Sequence, residues 1–194
     1  IISVSFILFY SLISCNNEKK TSEESQHHVT EQILSEVIIG DQIWAKENLN
    51  LTCFRNGDAI IQAQSKEDWE NAIKEGKPAW CFFHNDSLNQ DKTGKLYNIY
   101  AVLDPRGLAP EGWQIPTESD WQLLQSFLGE DIALKLKATE GWNKDANGNN
   151  ETGFTAYPSG TRTDYGSFNA KGGTAYYWSL ANNPDIESAG GRYL

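Results

Sequence analysis

The sequence predicts an α+β domain with short twisted antiparallel strands, two or three helices and long loops rich in Gly and Asn. Aromatic residues make up 12% of the 194 residues, and the chain contains seven Trp and sixteen Gly. This composition is typical of a loop-rich, β-containing domain in which a few large rings supply much of the core. Helical patterns occupy the middle of the chain and strand patterns lie on both sides, as in the α+β class.

A hairpin opens the predicted domain. Residues 37–39 (VII) and 42–45 (QIWA) have the composition of short strands, and Gly40-Asp41 between them favours a tight turn. Further strands are predicted from their aromatic and β-branched residues at 79–83, 96–102, 154–157 and 176–180.

Two helices are predicted from the residues that cap them. Ser65 is a typical N-cap and Asp68 follows three residues later, and Thr117 with Asp120 repeats this spacing as a capping box. The apolar residues after each cap share one helical face: Trp69, Ala72 and Ile73 in the first helix, and Trp121, Leu124, Phe127 and Leu128 in the second. A further short helix is predicted over residues 132–137.

The N-terminal segment has the pattern of an export signal. Residues 1–13 form an almost unbroken apolar run, and the sequence becomes polar directly after Cys15. The run is shorter than the roughly 20 residues that a membrane-spanning helix needs, and it has the length of the apolar core of a signal peptide. The stretch LISC, which ends at Cys15, resembles a lipobox, and the resemblance implies that Cys15 is lipidated and becomes the mature N-terminus. An uncleaved apolar anchor or a buried N-terminal strand is the alternative.

The sequence therefore divides into three parts. Residues 1–14 are predicted to be a signal peptide, truncated because the sequence contains no Met. Residues 15–36 are predicted to be the lipidated Cys and a flexible tether, since this polar segment has no aromatic residue. Residues 37–194 are the predicted domain. We expect an outer-membrane lipoprotein of the cell envelope, periplasmic or surface-exposed, that is bound to the membrane through its N-terminal lipid.

Charge and motifs exclude several functions. The formal net charge is −10, and the first fifteen residues carry no charged side chain, so the excess lies in the exported part. A negative surface repels phosphate backbones, and we therefore expect no nucleic-acid partner. The sequence has no nucleophile elbow, P-loop or HExxH motif, and we expect no catalytic activity.

The predicted domain contains two cysteines, Cys53 and Cys81. In an oxidising compartment they can form a disulfide with each other. Two buried free thiols, or pairing of Cys81 with a cysteine beyond the end of the sequence, are the alternatives, and the sequence leaves all three open.

Several sequence blocks match a known family in the family's order. They include residues 39–44 (IGDQIW), 94–102 (GKLYNIYAV), 104–113 (DPRGLAPEGW), 153–156 (GFTA) and 177–179 (YWS). The chain resembles the Fibrobacter succinogenes major paralogous domain across essentially the whole predicted domain. The resemblance implies a C-type-lectin-like fold, distantly similar to formylglycine-generating enzymes, in surface or periplasmic proteins with no established activity. It also implies closing strands beyond Leu194, so we expect the C-terminal end to be missing.

A calcium site is one hypothesis for the loop at residues 143–151. Oxygen-bearing side chains alternate there, and such oxygens are the ligands that Ca²⁺ prefers. They belong to Asn143, Asp145, Asn147, Asn149 and Glu151. If Asn143 is aligned with the first residue of an EF-hand loop, the twelfth residue is Phe154 rather than a bidentate Glu, so the segment does not match that motif. The alternative is a polar turn, because Asn and Gly tolerate positive φ.

Candidate ligand contacts lie in the Gly-rich second half of the chain. The tripeptides with which sugar-binding C-type lectins ligate calcium are absent, which leaves aromatic stacking without calcium. The candidate residues are Arg162, Asp164, Tyr165, Phe168, Tyr176 and Tyr177. We expect a binding or structural module that recognises a glycan or another surface protein through these loops. An enzyme related to the formylglycine-generating group and a purely structural envelope protein are the alternatives.

Overall fold

The computed structural model of the protein describes residues 34–182 and 188–194. The predicted signal peptide, the lipidated Cys15 and all but the end of the tether lie outside these residues. In the described ranges, no helix combines the length and the apolarity needed to cross a membrane.

Short strands and helices alternate along the chain. The strands are β1 (Glu36–Ile39), β2 (Gln42–Ala45), β3 (Ile61–Gln62), β4 (Ala79–Cys81), β5 (Leu96–Tyr97), β6 (Thr161–Arg162), β7 (Phe168–Asn169), β8 (Tyr176–Leu180) and β9 (Ala189–Tyr193). The helices are α1 (Lys66–Lys74), α2 (Gln90–Thr93), α3 (Ile99–Val102), α4 (Glu118–Leu128) and α5 (Ile132–Leu136). The α+β class is confirmed.

The described strands form four separate small sheets. The pairs β1–β2, β6–β7 and β8–β9 are antiparallel. In the three-stranded sheet, β4 pairs in parallel with β3 and antiparallel with β5. Sheets of this size have little stability of their own, so packing between elements must hold the fold together.

The β1–β2 hairpin has the predicted turn. Gly40 adopts φ +62, which favours glycine, and a Cβ at this position would lie 3.0 Å from the ring of Phe127. Trp44 is buried on the inner face of the hairpin, and the outward-facing pair Ile38 and Ile43 is exposed. The alternation of apolar residues along both strands therefore leaves one apolar pair in solvent.

The two predicted capping boxes are present. Ser65 caps α1 with Asp68, and Thr117 caps α4 with Asp120. The predicted buried face of α4 is wrong at Phe127, because the side chain of this residue is 64% exposed. It lies at the edge of the face that Trp121, Leu124 and Leu128 bury, and its ring covers the hairpin turn at Gly40 instead of entering the core.

The predicted strand over 96–102 ends at Tyr97. Asn98 is buried and caps α3 by accepting a hydrogen bond from Ala101 N, and the same Oδ1 atom accepts a bond from Ala79 N. The side-chain amide of Asn98 donates to Lys77 O. These bonds turn the chain into a helix where aromatic and β-branched residues alone favour a strand.

Two more of the predicted strands differ from the structure. The strand predicted at 79–83 ends at Cys81, because His84 and Asn85 adopt φ values of +55 and +56 in the turn that follows. The segment 154–157 makes a single bridge to Lys137 through Ala156 and is not a strand, since Thr155 has φ +60.

Three clusters of buried side chains form the core. The first lies between the β1–β2 hairpin and α4 and contains Ile39, Trp44, Trp121, Leu124, Leu128, Leu136, Phe154 and Ala156. The second surrounds Phe54, Ile60, Trp80, Phe82, Tyr97, Ala101, Val102 and Leu108. The third contains Ala63, Trp69, Ala72, Ala79 and Cys81.

Substitution of Leu124 tests the placement of α4. Leu124 is fully buried, and we expect Leu124→Ala to lower the free energy of unfolding by about 3 kcal/mol, because it leaves a cavity in the first cluster. Leu123 is 61% exposed, and Leu123→Ala should change stability by less than about 0.5 kcal/mol. Urea denaturation of both variants measures the difference, and equal losses would contradict the buried face of α4.

Candidate functional site

An open cleft of about 720 Å³ lies beside the β1–β2 hairpin. Its walls come from residues 42–49 of the hairpin region, residues 93–97, residues 108–116 and the first residues of β8. A volume of this size lies within the range of small-molecule sites. We call this space the cleft.

Four aromatic side chains pack on one another along the cleft. The ring centroids of Trp44 and Trp121 are 4.8 Å apart, and Phe154 lies 5.9 Å from Trp44. Tyr177 lies 5.6 Å from Trp121 and 5.7 Å from Phe154. All four residues line the cleft, and we call them the aromatic wall.

Two indole N–H groups of the aromatic wall have no acceptor. The Nε1 atoms of Trp44 and Trp121 are buried and have no hydrogen-bond partner in the part of the chain that the structure describes. Four other tryptophans donate to backbone carbonyls: Trp69 to Thr163, Trp80 to Ile60, Trp142 to Ala156 and Trp178 to Tyr97. A buried unpaired donor costs about 1–3 kcal/mol. The aromatic wall is therefore a place where an added acceptor stabilises the protein.

The predicted place of Trp121 on the apolar face of α4 is confirmed, since only 6% of this residue is exposed. Trp44 is also buried, with 9% exposed, and neither residue is among the predicted ligand contacts. The sequence carries no signal for the unpaired donors, since the pairing of an indole N–H depends on carbonyls that tertiary structure brings near.

The charged groups around the cleft are mainly acidic. Four carboxylates line it, from Glu36, Glu47, Glu111 and Asp120, against the ammonium groups of Lys46 and Lys95. Asp120 also accepts hydrogen bonds from the N and Oγ1 atoms of Thr117 in the capping box of α4. Burial raises the pKa of Tyr177 well above its ordinary value, so its hydroxyl is a neutral group at this wall.

Lys95 is a half-buried cation at the edge of the cleft. Its Nζ atom donates to the backbone oxygen of Asn50 at 2.8 Å and also contacts the Asn50 side-chain oxygen. Nζ lies 4.7 Å from the centroid of the Trp80 ring and 5.1 Å from that of Phe82. No described side-chain carboxylate forms an ion pair with it. Burial lowers the pKa of Lys95 to about 8.

Arg162, a predicted ligand contact, has internal partners. It is buried, and its guanidinium lies 4.8 Å from the Trp69 ring centroid and 4.5 Å from that of Phe168. The guanidinium donates to three oxygens: Ser65 O at 2.8 Å, Gly166 O at 3.3 Å and Asn85 Oδ1 at 3.4 Å. Arg162 therefore holds the β6–β7 hairpin against the start of α1.

The structure separates the other predicted ligand residues into two groups. Phe168 packs against Phe83 at 5.1 Å, and Asp164 and Tyr165 occupy the tip of the same hairpin, where Tyr165 is 79% exposed. Tyr176 and Tyr177 instead line the cleft. The six residues do not form one surface, and only the second group lies beside the aromatic wall.

The predicted calcium loop uses side-chain oxygens within its own turns. Asn147 Oδ1 accepts a hydrogen bond from Trp142 N, and Asn149 Oδ1 accepts one from Glu151 N. Asn143 and Asp145 are exposed. The described residues contain no group of three His, Cys, Asp or Glu side chains placed to hold a metal ion. These hydrogen bonds agree with the alternative of a polar turn, and calcium binding stays a prediction.

Of the three alternatives for the two cysteines, the Cys53–Cys81 disulfide is excluded, because Cys81 is a free thiol. Cys81 lies in β4, where it is fully buried in the third core cluster. Burial raises the pKa of the thiol, and the hydrogen bond from Arg162 offsets only part of this effect. Cys81 is therefore protonated and enclosed, which is the environment of an unreactive cysteine.

Comparison with protein families identifies the domain. The model of the Fibrobacter succinogenes major domain matches residues 37–190. The chain belongs to this family. Comparison of this Fibrobacter succinogenes major domain with curated proteins and with solved structures gives no match.

The lowered pKa of Lys95 predicts how the stability of the domain depends on pH. The folded-state pKa of about 8 lies below the ordinary value of 10.5, so between these values the unfolded chain binds more protons. The Lys95 contribution to stability therefore rises with pH in this window. The raised pKa values of Cys81 and Tyr177 act in the opposite direction at alkaline pH. We expect the free energy of unfolding of the native protein, relative to that of a Lys95→Gln variant, to increase between about pH 8 and about pH 10. Parallel pH profiles of the two proteins would contradict the burial of the Lys95 ammonium.

Arg162→Ala distinguishes an internal role of Arg162 from ligand contact. We expect it to lower the free energy of unfolding by about 2–4 kcal/mol, because it removes charge-assisted hydrogen bonds and two aromatic contacts. The control is Arg192→Ala, which removes an exposed pair with Glu118 and should cost less than about 1 kcal/mol. Thermal and urea denaturation measure both variants. If Arg162→Ala left the free energy of unfolding unchanged, the internal role would be contradicted and Arg162 would again be a candidate ligand contact.

Proposed function

We propose that this Fibrobacter succinogenes major domain is a lipid-anchored recognition module of the cell envelope, with a C-type-lectin-like fold, that binds glycans in the cleft and catalyses no reaction. The observation that carries the proposal is the cleft, with its aromatic wall and unpaired indole donors. Ligand sites of this kind combine apolar rings with a few polar groups that fix orientation.

A saccharide fits this combination better than a purely apolar ligand. Its C–H faces stack on aromatic rings, and its oxygens accept hydrogen bonds from donors between those rings. Tyr176 is 41% exposed beside the cleft, and its ring lies 6.2 Å from that of Tyr193, which is 75% exposed. This tyrosine pair extends the aromatic surface from the cleft into solvent.

The proposed anchor sets how far the domain extends from the membrane. Leu34 is the first described residue and itself lines the cleft. The segment between Cys15 and Leu34 spans at most about 70 Å when fully extended, at roughly 3.5 Å per residue. A lipid on Cys15 would therefore hold the cleft within this distance of the membrane, where envelope glycans are within reach.

The enzyme alternative has less support. The family's distant fold relatives use cysteine chemistry, whereas Cys81 is enclosed and its pKa is raised. A catalytic cysteine needs a depressed pKa and access to substrate. We therefore assign Cys81 to the core.

A binding screen tests the proposed function. The purified full chain is applied to a glycan array and a polysaccharide panel, once with calcium and once with chelator. We expect binding in both conditions, and we expect Tyr176→Ala to weaken it about tenfold, which is about 1.4 kcal/mol. Tyr165→Ala is the control, since Tyr165 is also an exposed tyrosine but lies outside the cleft.

Other outcomes of the screen distinguish the alternatives. Loss of binding in Tyr165→Ala with normal binding in Tyr176→Ala would place the ligand on the β6–β7 tip. Loss with chelator would support the calcium loop. No binding by folded protein in either condition would contradict glycan recognition and favour a protein partner or a structural role.

A further inference from the structure

The unpaired donors of the aromatic wall limit what a ligand must bring. An indole N–H donates and cannot accept. Trp44 and Trp121 are neighbours in the aromatic wall, with ring centroids 4.8 Å apart. The ligand must therefore present oxygen or other acceptor atoms at this wall, and a ligand that only donates hydrogen bonds leaves both indoles unpaired.

The charges around the cleft decide between a neutral and an anionic acceptor. A carboxylate or sulfate accepts hydrogen bonds strongly, but here it would enter among four carboxylates on a protein of formal net charge −10. Of the two lysines in the lining, Lys95 already donates a hydrogen bond to Asn50, and its ammonium lies over the rings of Trp80 and Phe82. Neither of these rings lines the cleft. Glu111 is paired with Arg55 at 3.7 Å, but the four carboxylates still outnumber the ammonium groups of Lys46 and Lys95. The lining is therefore net negative and repels an anionic ligand.

We infer that the cleft selects uncharged saccharides and that a saccharide oxygen accepts the indole N–H groups of Trp44 and Trp121. The inference rests on the proposed function and adds the charge class of the ligand and the two donors that recognise it. Neutral sugars, including N-acetylated ones, satisfy the donors without adding charge, whereas uronates and sulfated sugars add negative charge to the cleft.

Access to the donors requires a small movement of the hairpin. Neither Nε1 atom is in contact with solvent in the free protein. The hairpin is held to α4 by the bond from Gln42 Nε2 to Asp120 O at 3.0 Å and by the packing of Gly40 on Phe127. We expect saccharide binding to shift these contacts, because pairing of the two donors stabilises an arrangement in which they are accessible.

Indole resonances report the inferred contact directly. The ¹⁵N-labelled full chain has seven tryptophans, and each gives one indole N–H signal. Titration with cellopentaose, mannopentaose and chitopentaose should move two signals most, and Trp44→Phe and Trp121→Phe assign them. The signals of Trp69 and Trp142 are internal controls, because their N–H groups already donate to Thr163 O and Ala156 O.

Charge selectivity is measured with the same protein. We expect the best of these neutral pentasaccharides to bind at least about tenfold more tightly than penta-galacturonate at low salt, where surface repulsion is least screened. Equal or tighter binding of penta-galacturonate would overturn the charge assignment. Sugar binding with no movement of the Trp44 and Trp121 signals would overturn the donor assignment and leave the proposed function intact. Absence of binding by any array glycan would overturn the inference and the proposed function together.

Discussion

The packing of four aromatic rings is the constraint on which most of this domain depends. Trp44 comes from the hairpin, Trp121 from α4, Phe154 from the segment after α5 and Tyr177 from β8. Among the described residues no sheet joins these four segments, although Leu180 bridges to Thr117 and Gln42 donates to Asp120 O. Burial of the rings, which contributes roughly 3 kcal/mol for a large side chain, therefore supplies much of what holds the segments together. The cleft exists where this packing meets solvent.

Tryptophan has a second use elsewhere in the domain. The indole N–H of Trp69 donates to Thr163 O and that of Trp178 to Tyr97 O, contacts that join residues 94 and 81 positions apart. A ring that packs and also donates has its position and its orientation fixed. Trp44 and Trp121 pack without donating to any described group, so no hydrogen bond fixes the orientation of their rings. A wall of this kind adapts to a ligand at little cost in hydrogen bonding.

The sequence predicted the elements whose signals are local and failed where distant residues decide. The hairpin and α4 follow from turn residues, caps and periodicity within a few positions. The strand predicted through Asn98 failed because its side chain bonds to Ala79 N, 19 positions away. The internal contacts of Arg162 could not be predicted either, because its bond to Ser65 O joins residues 97 positions apart. The cleft could not be predicted, because its walls come from segments that meet only in the folded chain.

The surroundings of Arg162 carry a consequence for acid tolerance. The guanidinium is balanced by backbone carbonyls, the amide of Asn85 and the rings of Trp69 and Phe168, and none of these groups gains or loses a proton in the acid range. A buried cation that depends on a carboxylate loses its partner when that carboxylate is protonated. No described carboxylate forms an ion pair with Arg162, so the contact between the β6–β7 hairpin and α1 does not depend on a carboxylate that stays ionised when the medium becomes acidic.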